Sequence, residues 1–140
     1  MSLLFDASSV IQLVRQFEEE KALRLLRGNC ILDLTKYEVG NALWKEHLLH
    51  QAIGAGELRE FLELFRSLIH HIKTLSIDAD QLPRVAELAV RERLTFHDAS
   101  YVAAAKIHKL TLVTEDRDLA RSASRHVKTF QVKDLRASSK

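Results

Sequence analysis

Leu110-Thr111-Leu112-Val113-Thr114-Glu115-Asp116 is the stretch that decides the fold. Its apolar and β-branched half reads as a short buried strand, its polar half closes that strand, and a polar helix containing Leu119 follows. Working outward, the same hand-over recurs. Leu3-Leu4-Phe5 ends in Asp6, and Val10, Ile11, Val14 and Phe17 follow at helical spacing. A helix over 18–27 stops at Gly28-Asn29, Cys30-Ile31-Leu32 forms a second strand, and Thr35 opens a helix through Val39, Leu43, Trp44 and Leu48. Residues 72–77 and 127–132 supply a third and a last strand, the last at an edge. Strands that alternate with helices predict parallel pairing with helices on both faces, because each parallel connection needs a crossover.

The remaining helices fall between these strands. Gly54 and Gly56 separate the Thr35 helix from one striped by Leu58, Phe61, Leu62, Phe65, Leu68 and Ile69, and the two form a hairpin. Asp78 or Asp80 is expected to cap a helix through Val85, Leu88 and Val90, and another runs from about His97 to Ile107. With one proline, four glycines and no repeat, the 140 residues read as a single domain whose closing Ser-Ser-Lys is frayed.

Composition narrows the function. The single cysteine, Cys30, sits beside Ile31 and Leu32 and reads as a buried thiol, which fits a reducing, cytoplasmic setting. No signal-peptide pattern opens the chain, and no apolar run approaches the roughly 20 residues of a membrane span. The formal charge is only +2, but from Arg117 onward seven Lys/Arg face two Asp, a net of +5. Such a tail either attracts a polyanion or is simply solvated.

Four acids stand where a strand or a turn hands over to a helix: Asp6, Glu38, Asp98 and Asp116. Each has a structural explanation. Thr35-Lys-Tyr-Glu38 and Thr95-Phe-His-Asp98 both match the capping-box spacing, Asp6 can cap the first helix, and Asp116 suits the positive end of a helix dipole. Parallel topology nevertheless gathers strand C-termini and helix N-termini on one edge, where ligands bind. Asp6, Asp116 and Glu38 belong there; Asp98 follows no strand and joins only if its helix starts at that edge. Converging like charges call for a cation, and oxygen ligands without His or Cys select Mg2+ or Mn2+ over zinc. Ser8 and Thr114, two residues from Asp6 and Asp116, can orient these carboxylates or serve as turn hydroxyls. The seven histidines, among them His47, His50, His70 and His71, show no ligand spacing and read as surface or helix-end residues. Cys30 lacks an activating neighbour, and neither a phosphate loop nor a nucleophile elbow is present.

Four blocks carry a family resemblance: Leu-Leu-Phe-Asp6-Ala-Ser8; Tyr-Glu38-Val-Gly-Asn41-Ala-Leu-Trp44; Leu-Thr-Phe-His-Asp98-Ala-Ser-Tyr-Val-Ala-Ala-Ala; and Leu-Val-Thr114-Glu-Asp116-Arg-Asp118-Leu. Together they resemble the PIN-domain ribonucleases and, in size, the VapC-type toxins. The resemblance implies a three-layer α/β/α sandwich with a central, mostly parallel sheet. Its acidic pocket would bind Mg2+ or Mn2+ and cleave single-stranded RNA as an endoribonuclease. Asp6, Glu38, Asp98 and Asp116 match the family's acidic positions; Asp118 matches an auxiliary acid, and Asn41 either donates to the site or faces solvent. It also implies a cognate antitoxin laid over the groove. The 44–68 hairpin would serve either that contact or a core with a homodimer seam. The competing reading is an inactive PIN-like module that binds RNA or protein through the basic tail. A phosphotransfer domain is disfavoured, since Asp6-Ala7-Ser8 is no two-Asp motif.

Overall fold

The five strands are β1 (Leu3–Phe5), β2 (Cys30–Leu32), β3 (Lys73–Leu75), β4 (Thr111–Val113) and β5 (Thr129–Phe130). All four pairings between them are parallel, and the order is β3-β2-β1-β4-β5. This computed structural model describes residues 2–138, with side chains through Leu135. The frayed end expected from the closing Ser-Ser-Lys therefore falls largely outside the described residues, as do the side chains of Arg136 and Lys140.

Each strand is only two or three residues long, so the sheet depends on what covers it. Alternate residues point to opposite faces. Leu3, Phe5, Ile31 and Val113 pack into one core with Val10, Leu13, Leu26, Leu43 and Phe65, while Leu4, Cys30, Leu32 and Leu112 pack into the other with Val85, Val102 and Leu119. The first layer comprises α1 (Ala7–Gln16), α2 (Glu19–Leu26), α3 (Thr35–Trp44), α4 (Ala55–Ile69) and α8 (Val132–Ser138). The second holds α5 (Leu82–Glu92), α6 (Phe96–His108) and α7 (Arg117–Ala123). This is the three-layer sandwich expected. Burying a Leu, Ile or Phe contributes roughly 1.5–3 kcal/mol, and Phe5, Leu13, Ile31 and Leu112 are sealed from solvent.

The α6 helix is unusual in that Ala99 through Ala105 are all buried, on every side of the helix. Small side chains there let its backbone lie close to both the sheet and α5. Thr95 starts it by accepting a hydrogen bond from the Asp98 N–H at 3.1 Å.

Several local expectations need correction. α5 begins at Leu82 behind Gln81, with Pro83 in its first turn; Asp78 precedes only a short 3-10 turn over Ala79–Gln81 and makes no side-chain cap. Proline lacks the N–H that a cap would satisfy, which moves the helix start past both aspartates. The last strand stops at Phe130, because Val132 turns inward as the first residue of α8, where Asp134 Oδ2 accepts the Gln131 N–H at 2.8 Å. In the hairpin, α3 continues as a π-helical turn over Lys45–Leu49 before Gln51 takes a left-handed φ of 50° and reverses the chain.

Candidate active site

In the order β3-β2-β1-β4-β5 the chain leaves β1 toward β2 on one side and returns at β4 on the other. The crevice at the C-terminal ends of β1 and β4 is thus the topological switch point, where open α/β sheets bind ligands. Asp6 follows β1 immediately, and Thr114 follows β4.

These two segments are tied together by hydroxyls. Asp6 is 6% exposed, and both of its carboxylate oxygens accept hydrogen bonds. Oδ1 accepts from Ser8 Oγ at 2.8 Å and from the Ser9 N–H at 2.9 Å, and Oδ2 accepts from Thr114 Oγ1 at 2.5 Å. Ser8 in turn accepts the Glu115 N–H, and Thr114 accepts the Asp116 N–H. Both hydroxyls thus bond Asp6, and Thr114 meets its neighbour Asp116 only through the backbone N–H. Burial pushes the Asp6 carboxyl above the usual range, and the hydrogen bonds from Thr114, Ser9 and Ser8 pull it back.

Glu38 occupies the first turn of α3 but is no helix cap. Thr35 Oγ1 accepts the Leu32 N–H at 3.0 Å and lies 2.7 Å from the Tyr101 hydroxyl, which itself donates to Glu38 Oε1 at 2.7 Å. The capping-box reading of Thr35 and Glu38 fails because Thr35 lies inside the helix, with Leu34 at the cap position. Glu38 Oε2 lies 4.0 Å from His97 Nδ1. Burial raises the Glu38 carboxyl; the Tyr101 bond and His97 oppose that, and Asp6 adds to it.

Asp98 resolves the question left open by its lack of a preceding strand. Helix α6 does begin at the site edge: Asp98 is half-buried, and its carboxyl is pushed up to about 6, first by burial and then by the charges of Asp116, Glu38 and Asp6. Asp116 is exposed and caps α7, its Oδ1 accepting from the Asp118 and Leu119 N–H groups at 2.9 and 3.1 Å. All four acids thus share one sheet edge, two held in hydroxyl cradles and two reaching toward solvent. The auxiliary positions contribute less: Asp118 is exposed and contacts Arg121 at 3.4 Å, while Asn41 is exposed on α3.

A divalent cation is the group this edge implies. Among the described residues no three Asp, Glu, His or Cys side chains lie close enough together to hold a metal ion as they stand. The donor chemistry nevertheless fits a hard cation, because all four are oxygen donors and, after burial, the charges of Asp116, Glu38 and Asp6 add to the rise of the Asp98 carboxyl. Beside the acids a cleft of about 310 Å³ runs between α7 and β5, lined by Thr114, Asp116, Arg117, Arg121 and Gln131 among others.

Sequence reasoning missed three groups. Tyr101, one turn after Asp98, carries no role in the sequence reading; Thr35 meets Tyr101 rather than Glu38; and His126, read with the other histidines as a surface or helix-end residue, is half-buried, whereas His97 is exposed at the start of α6 as expected. His97 faces Glu38, and His126 is half-buried against Glu92, which also receives Arg125. The spacing of Tyr101 from Asp98, one helical turn on the same face, was the available signal.

Comparison with known proteins agrees with this architecture. The PIN domain model matches residues 3–124. Exonuclease VapC9 of Pyrobaculum aerophilum is 37% identical over 119 residues, covering 83% of this chain and 81% of its own. Ribonuclease VapC3 of the same organism is 35% identical over 127 residues, covering 86% and 93%. The crystal structure of PAE2754 from Pyrobaculum aerophilum superposes with a TM-score of 0.81 at 32% identity, over 100% of this chain and 97% of that one. A toxin-antitoxin complex from Klebsiella pneumoniae matches with a TM-score of 0.55 at 27% identity, over 85% and 91%. With the family model spanning most of its length and relatives above one-third identity, the chain belongs to the PIN-domain family.

Proposed function

We propose that this protein is a VapC-type toxin, a metal-dependent endoribonuclease that cleaves single-stranded RNA. The observation that carries the reading is the convergence of Asp6, Glu38, Asp98 and Asp116 at the β1/β4 switch point, where burial and then the charges of the other three raise Asp98. The names of the relatives VapC9 and VapC3 support nuclease chemistry.

Asp6, Glu38, Asp98 and Asp116 would hold Mg2+ or Mn2+. When bound, the ion would supply Lewis acidity that activates water and offsets charge on the phosphodiester. Asp6 and Glu38 are pinned by hydroxyl donors, so they fix where the positive charge sits. Asp98 faces solvent from a less engaged position and is the acid best placed to accept a proton. Asp116 and Asp118 are exposed and Asp98 half-exposed, so a strand can reach the acids from solvent. Arg117 and Arg121 in the adjoining cleft suit flanking phosphates.

Trp44, Leu48, Leu49 and Leu62 leave apolar surface exposed along the α3–α4 hairpin. That face suits a cognate antitoxin or the seam of a homodimer. Among the described residues no helix is long and apolar enough to cross a membrane, and a cytoplasmic location accords with an RNA substrate.

The test is cleavage of a circular single-stranded RNA, which only an endonuclease can open. Wild type with Mn2+ should linearise it, while EDTA, Asp6→Asn or Asp98→Asn should abolish cutting. Equal cutting by Asp98→Asn refutes the mechanism, and degradation restricted to linear RNA refutes the endonuclease assignment. Salt-sensitive RNA binding indifferent to metal and to Asp98 would instead favour a binding module.

A further inference from the structure

We infer that Tyr101 is a positioning residue for Glu38, and that Thr35 fixes the direction of its hydroxyl, so that one Glu38 oxygen is held and the other is left facing the site. The inference rests on the metal-nuclease reading above and concerns residues which that reading does not use.

The argument is a count of protons. Tyr101 is 1% exposed, and Thr35 is sealed from solvent. Neither hydroxyl has water to turn to, so each must find its partners within the protein. Thr35 Oγ1 accepts from the Leu32 N–H at 3.0 Å at the very end of β2. A carboxylate only accepts, so the single proton of Tyr101 goes to Glu38 Oε1 at 2.7 Å. The 2.7 Å contact between Thr35 Oγ1 and Tyr101 Oη then has one consistent sense, with Thr35 donating. A directed chain runs from the β2 backbone through Thr35 and Tyr101 into Glu38.

Its geometry singles out one oxygen. Oε1 is taken by the tyrosine, whereas Oε2 lies 4.0 Å from His97 Nδ1 and, among the described residues, makes no hydrogen bond. The chain also joins β2, α3 and α6, the three elements that set the distance between Glu38 and Asp98. Asp6 is likewise held by hydroxyl donors, though on both oxygens, Ser8 on Oδ1 and Thr114 on Oδ2. Partners of this kind orient metal-ligating carboxylates, and their loss typically weakens metal binding or activity about 10- to 100-fold.

The experiment is Mn2+ binding to the full chain without RNA, measured by calorimetry or by paramagnetic resonance of free Mn2+, alongside thermal unfolding in EDTA. Tyr101→Phe should weaken Mn2+ affinity about 10- to 100-fold at a temperature where it is fully folded. Thr35→Val should weaken it only several-fold, because Tyr101 can still donate to Glu38, although this variant orphans the Leu32 N–H and unfolds at lower temperature. Thr35→Ser, which keeps both bonds, should restore wild-type affinity. If Tyr101→Phe does not fold, the Thr35→Val and Thr35→Ser pair decides. Variants that lose thermal stability but bind Mn2+ within twofold of wild type overturn the inference and leave the nuclease reading standing. A wild type that binds no Mn2+ overturns both.

Discussion

Asp98→Asn should make the metal-free protein more stable while abolishing its activity. The Asp98 carboxyl rises from its ordinary 3.8 to about 6 because it is half-buried and faces Asp116, Glu38 and Asp6. In full, a displacement of that size corresponds to about 3 kcal/mol. Solvent screens a group this exposed, and about 1–2 kcal/mol is the expected remainder. The sign follows from proton linkage. Between about pH 4 and 6 the folded state binds more protons than the unfolded chain, so stability falls as pH rises through that window, and the penalty is complete above it. An uncharged asparagine escapes the penalty. Thermal unfolding in EDTA near neutral pH should therefore place Asp98→Asn about 3–6 °C above wild type, with the gap closing near pH 4. Saturating Mn2+ should invert the order, since a ligand at a hundredfold its Kd stabilises the competent protein by about 2.7 kcal/mol. A variant equal to or less stable than wild type in EDTA at neutral pH would refute the convergence of charge, whatever its activity.

Two further outcomes follow from neighbouring groups. Thr114→Val removes a donor to Asp6 and the acceptor of the Asp116 N–H, both in buried or half-buried surroundings, and should cost about 1–3 kcal/mol in urea unfolding along with most of the cleavage activity. A variant that retains wild-type stability would mean Asp6 is not held from the β4 side. Glu92 is held down to about 2 by hydrogen bonds from Arg125 and His126, so its contribution is complete above its ordinary 4.5 and disappears as pH falls toward 2. Glu92→Gln should flatten the acid limb of a urea-midpoint titration in that window; an unchanged limb would show that the cluster does not act in folding.

What the sequence made legible was whatever is local. Leu3–Phe5 and Thr111–Val113 announce themselves by composition, and the acids that follow them are placed on the sheet edge by topology alone. Asp98 was legible as a site residue only through the PIN resemblance, because α6 reaches the edge by doubling back from α5 rather than by leaving a strand. The Thr35 role was hidden for a related reason. The three-residue spacing to Glu38 imitates a capping box, whereas the true partner, Tyr101, is 66 residues away. The end of β5 was misjudged because Val132 is as apolar as a strand residue and is buried just as deeply. Apolarity at a single residue does not distinguish the two.

The pairing of β1 with β4 has a consequence for the order in which the chain is made. Asp6 is synthesised 108 residues before its Thr114 partner. At about 5–20 residues per second, Asp6 waits on the order of 5–20 s before the strand that completes its cradle has been synthesised. During that interval β1 has only β2 as a neighbour, and neither Asp116 nor Thr114 exists to close the edge. A growing chain therefore cannot assemble the four acids before β4 and the turn after it have been made, and any truncated product ending before β4 lacks both Thr114 and Asp116.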